Sequence, residues 1–322
     1  MTKRWCFATF LFMFKHMKQM TLIKNDFSIL SAPKGTALLI GNFEGVHKGH
    51  QSLIKHLITV AKSKNLTPVV YTFYPHPSLF FAQTGVDKFK PKTKPLSKRL
   101  MCLEQKISKL AKLGIEVVVV KPFNSQLANM TYQEFLKHLC QDMNMKYLMM
   151  GEDFAFGKNR LGTASAIKAW SGKSDIDKAC IDNDATDVTV EIMADVKGSV
   201  KSHVYDDNNR YASSSIRQFL AEGEVKKAGF ALGTPFTLKT YLYEDDYCNL
   251  VAHLKGYSPI KKGVYFAKVQ YTKANLSGEV GYESAIVPVT ITENKAVIAP
   301  LAEMPDLIEG RVYLSLIDKI EK

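Results

Sequence analysis

Thr36-Ala37-Leu38-Leu39-Ile40-Gly41-Asn42-Phe43-Glu44-Gly45-Val46-His47-Lys48-Gly49-His50 carries two patterns joined by a turn. Thr36 to Ile40 is an uninterrupted apolar run, as a strand buried on both faces shows. Beyond the turn, Gln51 to Lys64 places Leu53, Ile54, Leu57, Ile58 and Ala61 at helical spacing, a face suited to packing on a sheet. The turn itself holds three glycines and two histidines. A strand, a Gly-rich turn and a helix together aim free backbone N–H groups at an anion. The glycines are expected to admit a phosphate close to the backbone. His47 and His50, on either side of Gly49, are both expected to reach it.

The same alternation continues outward. Pro68 to Phe73 reads as a second strand ending in Tyr74-Pro75-His76-Pro77, and a Lys/Pro loop follows from Asp87 to Pro95. Leu100, Leu103, Ile107, Leu110 and Leu113 mark a helix that Gly114 can end in the left-handed conformation. Ile115 to Val120 is a third strand. Thr131 and Glu134 form a capping box before the face of Phe135, Leu136 and Leu139. Tyr147 to Met150 is a fourth strand, ending at Gly151-Glu152-Asp153-Phe154-Ala155-Phe156-Gly157. Val188 to Val196 reads as another strand. Ser213-Ser214-Ser215-Ile216-Arg217 then opens a helix running to about Phe230, its serines at N-cap positions. Strands alternating with helices describe an α/β doubly wound parallel sheet, in which ligands bind beyond the carboxyl ends of the strands. The three motif-bearing turns after strands therefore fall on one edge.

At Leu232-Gly233-Thr234-Pro235 the texture changes. Phe236–Tyr243, Gly263–Tyr271, Ser284–Ile291, Lys295–Ala299 and Arg311–Ile317 are short β-rich segments, the pattern of a small barrel or sandwich. The domain boundary is placed near residue 232, giving a region 20–232 and a β domain 233–322. Two domains also suit a length of 322 residues.

A hydrophobic share of 46% with 11% aromatics supports folded cores rather than disorder. The five cysteines are scattered and lack any Cys-x-x-Cys, which argues against a disulfide framework or zinc site and fits a reducing cytoplasm. The net charge of +12 points to an anionic partner. No Lys/Arg helix interleaved with aromatics is present, so a nucleotide is favoured over nucleic acid. Trp5 to Phe14 is apolar but too short to span a bilayer. Residues 1–19 read as an extension, either from a start codon set too early or as a peripheral anchor, with the former preferred.

His47-Lys48-Gly49-His50 after a buried strand resembles the signature of the HxGH nucleotidyltransferases, and the full string resembles that of the bacterial FAD synthetases. Their pattern is Gly-Asn-Phe-Asp-Gly-Val-His-x-Gly-His, so Glu44 departs from it by one methylene. Three further blocks match in order: Thr72 to Pro77 (Thr-Phe-x-Pro-His-Pro), Gly151 to Gly157 (Gly-x-Asp-Phe-x-Phe-Gly) and Ala212 to Arg217 (Ser-Ser-Thr-x-Ile-Arg). Ala212 replaces the first serine of the last block and Ser214 its threonine. The resemblance spans Met20 to Leu232. It implies attack of an FMN phosphate oxygen on the α-phosphorus of ATP, giving FAD and pyrophosphate, with Mg²⁺ accompanying ATP and no protein metal ligand assigned. It further implies His47, His50 and Arg217 as catalytic groups. Gly41, Asn42, Phe43, Gly45, His47, His50, Ser213, Ser214 and Arg217 would bind ATP. Pro75, His76, Pro77, Gly151, Asp153 and Phe154 would bind the flavin. The loop lysines Lys88, Lys90, Lys92 and Lys94 are candidates for a lid over the phosphates, set against a plain basic loop.

In bifunctional members of that family a riboflavin kinase barrel follows. Leu232-Gly233-Thr234-Pro235-Phe236 resembles its opening and Lys262-Gly263-Val264-Tyr265 a later strand. Between them the kinase carries Gly-x-Pro-Thr-Ala-Asn, whereas Thr237 to Lys261 has no such run. The expected glutamate base also lacks a clear counterpart around Glu279 to Thr290. The β domain is thus expected to be kinase-like without a kinase site, kept for stability or for pairing in a homo-oligomer, with a surviving bifunctional enzyme as the alternative. Another HxGH transferase, an aminoacyl-tRNA synthetase and a non-catalytic flavin or nucleotide sensor are the other readings. The first lacks a reason for the Pro-His-Pro and Asp-Phe-x-Phe-Gly blocks. The second would need a lysine-bearing signature where Ser213-Ser214 stand. The third would not need both histidines and Arg217.

Overall fold

The computed structural model describes residues 21–24, 34–84, 98–171, 188–194, 211–245, 249–274, 280–298 and 310–320. The extension 1–19, the loop from Asp87 to Pro95 with its four lysines, and Glu279 lie outside the described residues. The chain divides into two compact units. One comprises residues 1–43, 50–94 and 107–195; the other comprises 44–49, 95–106 and 196–322. The second unit thus takes in Glu44 to Gly49 of the motif turn, with His50 in the first, and the two helices before residue 232 as well as the β domain.

The first unit is built on a six-stranded sheet of β1 (Thr21–Lys24), β2 (Thr36–Ile40), β3 (Thr67–Tyr74), β4 (Val117–Pro122), β5 (Met145–Gly151) and β6 (Thr189–Met193), in the order β1-β4-β3-β2-β5-β6. Every pairing is parallel, so the doubly wound α/β sheet is present. β2 lies between β3 and β5, and all five of its residues are buried, which is why it shows no alternation. The connecting helices are α1 (Lys48–Ser63), α2 (Pro77–Thr84), α3 (Leu103–Lys112), α4 (Ser125–Asn129), α5 (Tyr132–Met143) and α6 (Ala164–Ser171). Thr131 caps α5 as read: its side chain accepts from Glu134 N–H, and the Glu134 carboxylate accepts from Thr131 N–H at 2.8 Å.

In the second unit α7 (Ser213–Glu222) and α8 (Val225–Leu232) precede a closed barrel. Its strands are β7 (Phe236–Glu244), β8 (Leu250–His253), β9 (Gly263–Ala274), β10 (Val280–Ile291), β11 (Lys295–Ile298) and β12 (Gly310–Lys319), ordered β10-β11-β8-β7-β12-β9 with β9 returning to β10. The pairings are antiparallel. Inward residues such as Leu238, Tyr265, Val269, Val287, Val289 and Leu314 form one core with Leu100, Ile216 and Leu232.

Several readings shift. The helix expected from Ser213 to Phe230 is two helices, because Gly223 at φ 85 ends α7 and its N–H bonds Leu220 O. Leu100 belongs to no helix; it precedes α3 and packs in the barrel core. β1, β8, α2, α4 and α6 were not anticipated: each is short, and α2 has no one-sided apolar stripe, so it offers no period to read. Thr131→Ala removes the α5 cap and is expected to lower stability by ~1 kcal/mol, seen as a lower urea midpoint in circular dichroism.

Candidate functional site

In the first unit the turns leaving β3, β2 and β5 stand side by side, because those strands are neighbours. Gly41 N–H still donates to Tyr71 O at 3.1 Å, so pairing outlasts β2 by one residue. Thr72 Oγ1 donates to Asn42 O at 3.3 Å. Phe43 then takes φ 46, uncommon for a bulky residue and a mark of functional turns. Its ring meets His50 edge-on, centroids 5.3 Å apart. His50 lies in the first turn of α1, which starts at Lys48 and not at Gln51. A Cβ on Gly41 would sit 3.0 Å from the Phe43 ring, so that side of the glycine is filled by the motif itself.

At the end of β3, Pro77 occupies the first position of α2, where a missing N–H costs nothing. His76 caps the helix: its Nδ1 accepts from Ser78 N–H at 3.2 Å, and its carbonyl accepts from Leu79 and Phe80 N–H. With Nδ1 accepting, the ring proton of the neutral imidazole is on Nε2. At the end of β5, Phe154 N–H closes a turn on Gly151 O at 3.1 Å, with Asp153 exposed at its tip. A Cβ on Gly151 would meet nothing within 4 Å. Three aromatic residues near this edge escaped the sequence reading. Phe80, Phe81 and Phe123 meet edge-on in all three pairs, at centroid distances of 5.5, 5.3 and 5.7 Å. Phe80 and Phe81 sit on α2, which the sequence did not reveal, so no pattern drew attention to them.

In the second unit the other half of the motif packs under the start of α7. Ser213 Oγ donates to Glu44 O at 3.1 Å. Arg217 Nη1 donates to Ser213 O at 3.1 Å, and Arg217 Nη2 lies 3.5 Å from Glu44 Oε1. The Glu44 carboxylate also accepts from Leu100 N–H. Gly45 at φ 74 leaves no room for a side chain, since a Cβ would come 3.0 Å from Leu232 and 3.3 Å from Leu100. Val46 follows at φ 43, a further outlier for a β-branched residue. The His47 imidazole, 6% exposed, lies across Gly49: a Cβ there would stand 3.1 Å from its Nδ1. Lys48 Nζ sits 3.3 Å above the Phe230 ring. The space freed by Gly41, Gly45 and Gly49 is thus taken up by side chains of the chain itself. The glycines shape the turn before any ligand approaches it.

The serines do not cap α7. Its N-cap is Ala212, which offers no side-chain oxygen, while the Ser213 hydroxyl is committed to Glu44 O and Ser214 is exposed. The first-turn N–H groups of α7 accordingly lack a side-chain cap, the arrangement that receives anions. Nε and Nη2 of Arg217 are buried without a hydrogen-bond partner. Burial lowers the Arg217 pKa, and the charge of Glu44 opposes that. Lys106, 7% exposed, was not singled out in the sequence because it reads as one lysine among many. Burial pushes its ammonium down from 10.5 to about 8, again opposed by Glu44. One carboxylate thus acts on two buried cations.

Among the described residues, no three His, Cys, Asp or Glu side chains come together as a metal-binding group. No helix among them is long and apolar enough to cross a membrane. The FAD synthetase family matches residues 29–190. The chain belongs to the FAD synthetase family. Proteins named bifunctional riboflavin kinase/FMN adenylyltransferase resemble it over more of its length. That of Buchnera aphidicola is 26% identical over 78% of this chain and 73% of its own. That of Escherichia coli K12 is 29% identical over the same shares, 78% and 73%. That of Bacillus subtilis is 30% identical over 66% of this chain, a match taking in 57% of the relative's length. A solved structure titled macrolide-efflux protein from Streptococcus pneumoniae shares the fold, with a TM-score of 0.71, 23% identity and coverage of 94% of this chain and 92% of that one.

Lys106 makes stability depend on pH. Its pKa is about 8 in the folded chain against an ordinary 10.5. Between those values the unfolded chain binds more protons, so stability rises with pH across that window. Lys106→Met removes this contribution. The stability of the variant relative to the wild type is expected to fall between about pH 8 and pH 10.5. Urea midpoints across the range check this, and Lys109, shifted the same way, cancels in the comparison.

Proposed function

We propose that this chain transfers the adenylyl group of ATP to FMN. An FMN phosphate oxygen attacks the α-phosphorus; the bond to the β-phosphate oxygen breaks, and pyrophosphate leaves with the electron pair. Both reactants arrive ionised, so catalysis needs alignment and neutralisation of charge rather than a base. The observation that carries the reading is Arg217, whose buried Nε and Nη2 have no hydrogen-bond partner, on a helix whose first turn lacks a side-chain cap. That is a binding group for phosphate. Through Ser213 and Glu44 it is hydrogen-bonded to the turn carrying His47. His47 and His50 would donate to phosphate oxygens as the transition state forms. Two such donors supply ~5–8 kcal/mol if each contributes ~10²–10³ in rate. Ser213, Ser214 and Arg217 serve as the phosphate clamp, with Gly41, Asn42, Phe43 and Gly45 shaping the ATP turn. Mg²⁺ would travel with ATP on its phosphates.

Pro75, His76, Pro77, Gly151, Asp153 and Phe154 are assigned to the flavin. The Phe80-Phe81-Phe123 group supports this, since it supplies flat apolar surface at the end of β3. The assignment takes residues 20–232 as the transferase region of a cytoplasmic enzyme acting on small molecules.

Residues 233–322 are assigned as a kinase-like barrel that does not phosphorylate riboflavin. In support of this, groups of the turn between β8 and β9 are engaged within the protein. Gly256 O accepts from Arg99 N–H and Ser258 N–H donates to Arg99 O, both at 2.8 Å. Tyr257 OH bonds both N–H and C=O of Lys239 at 3.0 Å. The relatives' names keep riboflavin kinase as the second reading. Purified protein with ATP, Mg²⁺ and either FMN or riboflavin separates the two: FAD from FMN is expected, and FMN from riboflavin is not. His47→Ala and His50→Ala are each expected to slow FAD formation at least ~10²-fold while leaving the circular dichroism spectrum unchanged. Near-normal turnover would remove that histidine from the mechanism. Gly49→Ala crowds the His47 ring and is expected to lower kcat more than it raises KM for either substrate.

A further inference from the structure

Glu44 stands where three attachments meet, and its own side chain has no role in the chemistry assigned above. Its carboxylate accepts the Leu100 N–H and faces the Arg217 guanidinium at 3.5 Å. Its main-chain carbonyl accepts the Ser213 hydroxyl. The residue is 8% exposed, and a buried carboxylate is retained at a cost unless it is fully paired. The partners it faces are unequal: Leu100 N–H is an ordinary donor, whereas Arg217 carries a full charge and has two nitrogens without a hydrogen bond.

The segment supplying Leu100 is itself fastened to the barrel. Besides the Arg99 backbone pairing, Gln105 Nε2 donates to Thr237 O at 2.9 Å, and Lys239 Nζ bonds the Glu104 carboxylate at 2.6 Å. Leu100 packs in the barrel core. A chain of direct contacts therefore runs from β7 through residues 98–106 to Glu44, and from Glu44 to both Arg217 and the His47 turn.

We propose that Glu44 is the positioning residue of the phosphate clamp. Its carboxylate aims the Arg217 guanidinium and its carbonyl fixes the start of α7, so that the clamp and the His47 turn are held as one piece against the barrel. The inference rests on the adenylyl-transfer reading for its substrate, ATP, and on geometry alone for the role. The alternative is a structural carboxylate whose only task is to satisfy the Leu100 N–H. Glu44→Gln separates them, because the amide oxygen still accepts that N–H while the charge facing Arg217 is gone. Without that charge, Arg217 and Lys106 remain as buried cations with nothing from residue 44 to hold the guanidinium in place.

The test uses the full chain, with steady-state FAD formation and calorimetric binding of Mg-ATP measured for Glu44→Gln, Glu44→Asp, Arg217→Ala and the Glu44→Gln/Arg217→Ala pair. Glu44→Gln is expected to raise KM and Kd for ATP about tenfold and to leave KM for FMN unchanged. In the Arg217→Ala background it is expected to add less than about twofold, since the group it acts through is absent. Glu44→Asp keeps the charge and is expected to recover most of the ATP affinity; should Glu44→Gln fail to fold, Glu44→Asp in the two Arg217 backgrounds gives the same cycle, its smaller loss vanishing with Arg217. An unchanged or lowered KM for ATP overturns the proposal, as does an equal loss with and without Arg217. A wild-type chain that binds ATP but makes no FAD sinks the adenylyl-transfer reading, and Glu44 is then judged by calorimetry. A wild-type chain that does not bind ATP overturns both.

Discussion

Strand β2 has a parallel neighbour on each side and no exposed residue, and the candidate groups of the first unit depend on that placement. In a parallel sheet all strands leave in one direction, so the turns after β3, β2 and β5 gather at one edge whatever their sequences. Register then decides which side chains reach it. Leu38, Leu39 and Ile40 are 0–2% exposed, each contributing roughly 1.5–3 kcal/mol by burial. A slip of one residue would preserve that energy, because β2 is apolar on both faces. What fixes its ends instead is polar: Thr36 Oγ1 on Met143 O at one end, and Gly41 N–H on Tyr71 O at the other. Two hydrogen bonds thus determine where Asn42 and Phe43 begin to turn.

The fold was legible where a local pattern had a single physical cause. The continuous apolar runs of β2, β4 and β5 mean two-sided burial, and the Thr131–Glu134 spacing means a capping box; both are local and both are present. The short β-rich segments after residue 232 likewise pointed to a small barrel or sandwich, and the barrel is the one present. Segments of four or five residues such as β1, β8 and α4 carry too few positions to show a period. Gly223 was readable only as one glycine in a helical run, although its φ of 85 divides α7 from α8.

The candidate site was legible to a different depth. Motif residues could be named from their order, but the role of each glycine could not. Gly45 is required by Leu100 and Leu232, and Gly49 by His47, contacts that no spacing within the motif reveals. The supporting residues were hidden for the same reason. Glu44 meets Ser213 across 169 positions and Leu100 across 56. Lys106 looks like any solvated lysine until burial is known. The serines of α7 were legible as a helix start but misassigned as caps, because a side-chain oxygen has alternatives that sequence does not rank. Here the Glu44 carbonyl wins the Ser213 hydroxyl.

The barrel shows that a fold and a site can rest on different residues of the same strands. Its closure needs only the inward positions, and Leu238, Tyr265, Val269, Val287, Val289 and Leu314 supply them. Nothing in that core requires a phosphate-binding turn between β8 and β9. The turn from Lys255 to Ile260 instead lends its backbone to Arg99, which stacks its guanidinium on the Tyr257 ring at 4.5 Å. The Ser258 N–H is thereby committed to a protein acceptor. This pairing also gives the barrel a physical task apart from any catalysis. Residues 98–106 are held by the barrel, and Glu44 accepts a hydrogen bond from one of them. The cost of losing the barrel would therefore fall on Glu44 and the Ser213 and Arg217 groups it meets.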